Sequence, residues 1–567
     1  MLRSVKGMLT SFGCRTRGFR LLQPQCVNSN SIPMTGMHIL PRRRRYLQNL
    51  ILLVLLTGPA QTAWAATLRI TPTVSVTESY TDNVLAVREN AEADWLTQAR
   101  AGAAFTANGN RLSLNLSLNA VQDYYLDTDG LNSLRPQALG RGEVELLEDH
   151  FFVDGSVSLS ETSTSRGGAR SALDRTLGSN QTQLLLYEVS PRFVNQFGRM
   201  LEATLEYTHS ESRYSDPAKG VSDPLPVSTG LSPPLRSSDS ISGRDQKSDD
   251  LSLKLDTGRY FSRLNSKLTL LTSTTKSEAG NRAAATGQSG SRKLSEDRID
   301  LVNEYQLTRQ FALIGRVGYE DVQNRNPNTS AKDSSLSNSG PTGAVGFHWR
   351  PGPRLDLRSE YGRKYGEENF SADLSYKLSS FYYLSASFSQ SVRTQTRSRL
   401  DQLNRLIEGP DGRLIDPFTG IERDPAFSNF DLSNDAFRED LFQLGLTGIR
   451  GRNTYNFGAD FSSRESQNNT VKEEQLDINL DYTRRLQPRL YGVLGVSYSD
   501  QLNGGNTNAV NSQLSNGDEE FQGNASLNYR LGPSLNTNFR YVYMKRKFDN
   551  AGAISENALS ASIEASF

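Results

Sequence analysis

Few residues in this chain could do chemistry, and their spacing decides which kind. Beyond residue 65 the sequence holds three histidines, His150, His209 and His348, all far apart. A histidine metal site needs close partners, as in His-x-x-Glu-His, and none occurs. A Gly-rich phosphate loop and a Gly-x-Ser-x-Gly nucleophile elbow are also absent from the sequence. His209 beside Ser210 and Ser212 is the one arrangement suited to hydrolysis, with the imidazole as base and a hydroxyl as nucleophile. A solvated histidine at a loop base explains the same residues. The charged residues fall mostly at even spacing: Glu202 and Glu206, Lys254 and Asp256, Asp356, Arg358 and Glu360, Asp477 and Asp481, and Arg540 within its own strand. They read as the lining of a wet inner wall, with cross-strand pairs of mixed sign and not a selective filter. No cofactor or metal is expected, and the chain reads as a non-enzyme.

Spacing of two is the signature of an extended strand with two different faces. It runs through most of the sequence. In LSLNLSLNA (112–120), Leu112, Leu114, Leu116 and Leu118 alternate with Ser113, Asn115, Ser117 and Asn119. LSLKLDT (251–257), RLDLRSEY (354–361), LDINLDY (476–482) and FQGNASLNYRL (521–531) repeat the pattern, and Leu535, Thr537, Phe539, Tyr541 and Tyr543 share a face. Helical spacing is hardly visible, so the chain reads as all-β.

The connections divide into two classes that alternate along the chain. Short ones occur at NGNR (108–111), EDHF (148–151), QFGR (196–199), FSRL (261–264), TRQF (308–311), RPGPR (350–354), SSFY (379–382), RGRN (450–453), LQPR (486–489) and LGPS (531–534), most of them rich in turn formers. Long polar ones are expected at 214–248, 275–293, 323–339, 396–435 and 500–519. Alternating short and long connections are the mark of a barrel threaded through a bilayer, with loops outside and turns in the periplasm. The expectation is a transmembrane antiparallel β-barrel over 66–567, of about 22 strands within a range of roughly 18–24.

Backbone hydrogen bonding supplies the reason. An unpaired amide in hydrocarbon costs several kcal/mol, so a membrane sheet must close on itself. One face then meets lipid and the other water, which accommodates a mean hydropathy of −0.54. The final stretch ALSASIEASF (558–567) fits the closing strand: Leu559, Ala561, Ile563, Ala565 and Phe567 alternate with polar residues. Its terminal aromatic resembles the signal read by the barrel-assembly machinery. Tyr124, Tyr125, Tyr207, Tyr361, Tyr482 and Tyr529 fit aromatic girdles at the lipid interfaces.

The N-terminus reads as a leader. Arg42–Arg45 precede the apolar run Leu50–Leu56, then Gly58 and Pro59, then the small-x-small site before Ala66. Cleavage is expected between Ala65 and Ala66, with Met34 and Met37 as alternative starts. Residues 1–65 carry nine Lys/Arg and no Asp/Glu, so their loss takes the net charge from +1 to −8. Cys14 and Cys26 leave with them. A mildly acidic, thiol-free chain excludes disulfides and argues against nucleic acid as a partner.

ITPTVSVTESYTDNVL (70–85), NGNRLSLNLSLNAVQDYY (108–125) and VELLEDHFFVDGSVSLSETSTS (144–165) resemble the opening segments of the outer-membrane β-barrel family associated with PEP-CTERM systems. The closest likeness lies in Glu78, Tyr80, Asp82 and Asn83, and around Glu148, Asp149, His150, Phe152 and Asp154. The resemblance covers about the first hundred residues after the leader. It implies a Gram-negative outer-membrane barrel tied to exopolysaccharide production or export, with outer-membrane lipid, polysaccharide and other export components as partners. It brings no catalytic residues. By themselves, Asp82 and Asn83 are strand-end residues suited to turns and side-chain-to-backbone bonds.

A barrel this wide needs a constriction, and no plug domain precedes the first strand, near residue 68. The segment 396–435 is the candidate, because Leu400, Leu403, Leu406, Ile415, Phe418 and Ile421 are too many apolar anchors for a solvated loop. Three functions follow from different classes: a conduit for exopolysaccharide, a structural or adhesive surface barrel with a blocked lumen, and an outer-membrane hydrolase. Aromatic side chains inside the lumen would favour sugar transit, and a dry ion-paired interior the structural role.

Overall fold

The protein is described from a computed structural model, over residues 67–163, 170–173, 175–176, 180–215, 245–258, 260–277, 292–325, 338–408, 414–421, 430, 436–466, 472–503, 518–548 and 552–567. The expected leader, including Ala65 and Ala66, lies outside them.

The strands are β1 (Thr67–Thr81), β2 (Asp94–Asn108), β3 (Leu112–Tyr125), β4 (Ser133–Leu147), β5 (Phe151–Ser163), β6 (Gln181–Phe197), β7 (Leu201–Ser215), β8 (Gln246–Asp256), β9 (Leu264–Ser277), β10 (Arg292–Gln306) and β11 (Phe311–Arg325). They continue as β12 (Asn338–Gly352), β13 (Leu355–Lys364), β14 (Glu367–Lys377), β15 (Tyr382–Thr394), β16 (Ala436–Arg450), β17 (Asn453–Ser466), β18 (Glu473–Gln487), β19 (Leu490–Asn503), β20 (Glu519–Arg530), β21 (Leu535–Phe548) and β22 (Gly552–Ser566). Each pairs antiparallel with its neighbours in sequence, and β1 closes on β22 from Thr73↔Ser566 to Thr81↔Ala558. The sheet is a closed 22-strand meander with no free edge.

All ten expected short turns fall at one end, together with Thr67 and Phe567, which makes that end periplasmic. The strands that flank the five expected long loops end at the other side; most residues of those loops lie outside the described ones, and two other connections there depart from the pattern. Residues 365–366 and 549–551 are short. Tyr365 (φ 55°) and Gly366 (φ 80°) both take positive φ, the two-residue hairpin geometry that matches strand twist.

Alternation sets the faces. Leu68, Ile70, Val74 and Val76 are exposed on the outside of β1, and Leu559, Ile563 and Phe567 on the outside of β22. Phe539 and Tyr541 do the same on β21. Tyr124, Tyr207, Tyr361 and Tyr529 also lie exposed on the outer surface. Tyr125 does not: it is buried on the inner face, because successive residues of a strand point to opposite sides. Among the described residues no helix is long and apolar enough to cross a membrane; the strands do so.

A paired substitution tests the face assignment. Leu480, at the middle of β18, is exposed outward, while Asn479 beside it faces inward. Leu480→Arg is expected to lower folding stability in lipid vesicles by about 2–4 kcal/mol, the cost of a midplane cation on the lipid face. Asn479→Arg should cost far less in the same urea titration. Equal losses would reject the assignment.

Candidate functional site

The inner wall carries the charges that the sequence singles out. Glu206 accepts from Lys254 at 2.8 Å between β7 and β8. Glu202 accepts from Gln196, and Asp256 caps Gly258 N near the periplasmic mouth. On β12 and β13, His348 contacts Glu304 through Nδ1 at 3.0 Å and Asp356 through Nε2 at 2.9 Å. Glu360 is held by Arg358 at 2.8 Å and Arg316 at 2.9 Å. Asp477 accepts from Gln475 and Ser499. Asp481 faces Gly495, where a Cβ would come within 2.8 Å of its carboxylate. Arg540 takes the inner face between the outward Phe539 and Tyr541. These residues line a wall and do not converge on one point.

The hydrolytic arrangement is split by the pleat. Ser210 and Ser212 are buried inward, whereas His209 points outward and contacts Asp249 at 2.8 Å, beside the Tyr207 hydroxyl. His209 lies within β7 and not at a loop base. No reorientation of a side chain brings it onto the serine face. Among the described residues no group of three or more His, Cys, Asp or Glu could hold a metal ion.

Where the wall converges is the segment after β15. Thr394 caps a helix, α1 (Gln395–Arg405), whose Arg397 amide meets the threonine hydroxyl. The all-β reading missed this helix, although Leu400, Leu403 and Leu406 stand at its three-residue spacing. Those leucines are buried against Leu184 and Leu186 of β6 and Leu414. Polar contacts fan out over the same side of the wall. Ser212 (β7) and Thr396 hydroxyls lie 2.8 Å apart. Arg397 pairs with Asp250 (β8) at 3.4 Å and donates to Ser273 (β9). Arg399 donates to Thr162 (β5), Asn404 to Glu188 (β6), and Arg141 (β4) to the Leu406 carbonyl.

The opposite wall is engaged too. Arg405 donates to Gln443 of β16, and residues 414–421 lie against β15–β17. Ser385 of β15 donates to the Phe418 carbonyl at 2.8 Å. Room for this turn comes from glycines: a Cβ at Gly445 (β16) would stand 2.2 Å from Phe418 O, and one at Gly458 (β17) 2.6 Å from Ile421 Cδ1. In a ring of 22 strands β6 and β17 face each other. One loop therefore touches both sides of the lumen, as the apolar anchors in 396–435 lead one to expect; Leu400, Leu403, Leu406 and Ile421 are buried and Ile415 and Phe418 half-buried.

Two further segments fold inward. Glu556 of β22 accepts from Thr81, from Ser171 and from the Ala172 amide at 2.7–2.8 Å, tying residues 170–173 to the β1–β22 wall. Val84 and Ala86 pack on Leu96, Tyr125, Phe548 and Ile554. Asn83 holds that turn through Val87 and the Ser555 carbonyl, and Asp82 accepts from Asn557, so both serve as strand-end residues.

A closed meander, apolar outside and ion-paired within, defines an outer-membrane β-barrel, here with a lumen narrowed by its own loops. No family model and no curated protein matches the chain. Among solved structures it is similar to the FrpB iron transporter from Neisseria meningitidis, at 10% identity over 88% of this chain and 81% of that one, with a TM-score of 0.48. It is also similar to the ferric-catecholate import receptor Fiu from E. coli (10% identity, 87% and 81% covered, TM-score 0.47). A third is the alcaligin outer-membrane receptor FauA from Bordetella pertussis (10%, 87% and 76%, TM-score 0.44). The barrel assignment rests on the strand ladder itself.

Proposed function

We propose that the protein is a gated outer-membrane conduit for a polar, hydrated cargo, closed at rest by the loop between β15 and β16. One observation carries this reading: an inner wall of ion pairs and hydroxyls is occluded by a non-covalently docked segment of the same chain. Inward aromatics with open faces, such as Tyr383 and Tyr491, sit by the periplasmic turns, and Phe152 is covered by Arg192. An extracellular polysaccharide therefore enters as cargo only through the resemblance of the opening segments.

The docking energy sets how the gate works. Each fully buried leucine contributes about 1.5–3 kcal/mol, and Leu184, Leu186, Leu400, Leu403, Leu406 and Leu414 bury together. Spontaneous opening is then rare, and cargo or a partner must offset the exposed apolar surface. The same cluster favours a second reading, a structural barrel whose lumen stays shut.

Osmotic swelling of proteoliposomes separates the two. With the 395–435 segment removed, a conduit admits neutral oligosaccharides that the intact barrel excludes. A barrel that admits none in either form is structural.

A further inference from the structure

We propose that the outer surface of β7–β10, at its extracellular end, is a binding site for the phosphate groups of an outer-leaflet glycolipid. Register brings the site together. Lys247 of β8 stands directly opposite Lys276 of β9, and Lys276 directly opposite Lys293 of β10. Directly paired residues share a face, and that face is the bilayer's: Leu251, two steps of the pleat below Lys247, and Ile299, three steps below Lys293, are both exposed outward. On β7, Arg213 extends the row, half-exposed, with Lys247 also reaching Glu211 at 3.7 Å.

Like charges directly opposite across strands destabilise a sheet. Carboxylates offset only part of this repulsion: Glu211 stands directly opposite Lys247 and pairs with both it and Arg213, and Asp249 lies close enough to Lys276 to interact with its charge. Asp249 is held by His209 and Tyr207, Asp297 by Thr272, and Asp321 by Gln323. Glu211 is buried beneath Arg213 and the Tyr187 hydroxyl. Lys276 and Lys293 remain exposed. The corresponding outward positions on β16–β19 are acidic, with Asp440, Glu465, Glu474 and Asp500. The three directly opposed lysines lie just above the apolar band, at the height of lipid headgroups; other outward cations at this end include Arg438, which pairs with Glu367, and Lys545 and Lys547 of β21, the latter 3.6 Å from Glu519. A phosphorylated headgroup removes the repulsion and adds charge-assisted hydrogen bonds.

The test uses the full-length barrel, folded in detergent, with native mass spectrometry as readout. It is titrated with phosphorylated lipid A and, separately, with lipid A stripped of its phosphates. The phosphorylated form is expected to bind more tightly, with affinity falling as salt rises. The variant K247Q/K276Q/K293Q should lose on the order of a hundredfold at low salt, and each single variant roughly fivefold, at about 1 kcal/mol per surface cation. D440N/E465Q/D500N should keep wild-type affinity. Heat-modifiable gel mobility reports that each barrel is folded, and the single variants keep the test decisive if the triple one is not. Undiminished binding by the lysine variants, equal binding of dephosphorylated lipid A, or displacement by millimolar inorganic phosphate would each overturn the proposal. None of these outcomes depends on whether the lumen conducts.

Discussion

Excising residues 395–435 and rejoining β15 to β16 through a short turn raises the single-channel conductance of the protein in a planar bilayer several-fold. The expectation follows from where the segment sits. α1 fills the space beside β4–β9, and 414–421 covers β15–β17 across from it. Their removal exposes a polar wall in which Arg141, Glu188 and Asp250 exchange their contacts on the segment for water, while the strand ladders themselves are untouched. Residues 170–173 and the turn at Val84 still narrow the β20–β22 side, and the gain therefore stops short of an empty cylinder. An unchanged conductance would mean that the loop does not set the width.

Gly445→Leu combined with Gly458→Val is expected to expel the 414–421 turn while leaving the barrel assembled. At both positions a Cβ would lie closer than 3 Å to the turn, in the first case to a backbone oxygen that cannot swing away. The readout is chemical. Thr419, within this turn, is fully buried against Gly458, so a Thr419→Cys probe should resist a membrane-impermeant maleimide in the parent. With the two glycines replaced it should label freely, and conductance should rise by less than on excision, because α1 stays docked on β6. Protection of the probe in both backgrounds would show that the glycines do not make room for it.

Much of this architecture is legible in the sequence, because a period of two and a turn composition report directly on backbone geometry. The ten short turns and the outward face of ALSASIEASF coincide with the structure, while most residues of the expected long loops lie outside the described ones. The misses share a cause. Composition alone places Tyr125 in an aromatic girdle with Tyr124, yet adjacent strand residues cannot share a face. The His209–Ser210 pair fails for the same reason. α1 was hidden by the weight of alternation around it, and its signal, three leucines at three-residue steps, is only one helical turn per repeat. A further clue lay in QLLLYE (183–188), where Leu184, Leu185 and Leu186 break the alternation. Apolar residues on both faces of a membrane strand mean that something dry packs inside, and Leu184 and Leu186 do meet α1. Which loop fills the lumen is a long-range fact: Thr396 and Ser212 are 184 positions apart, beyond any local pattern.

That same pair offers the most direct test of a barrel stoppered by its own loop. With Ser212→Cys and Thr396→Cys, two hydroxyls 2.8 Å apart become thiols within disulfide reach. The chain's own cysteines, Cys14 and Cys26, are replaced by serine in the same background, so that no other thiol competes. In intact cells the pair should oxidise spontaneously and hold the conductance at its closed level until a reductant is added. Two thiols that stay alkylatable would place α1 away from β7 and contradict the account.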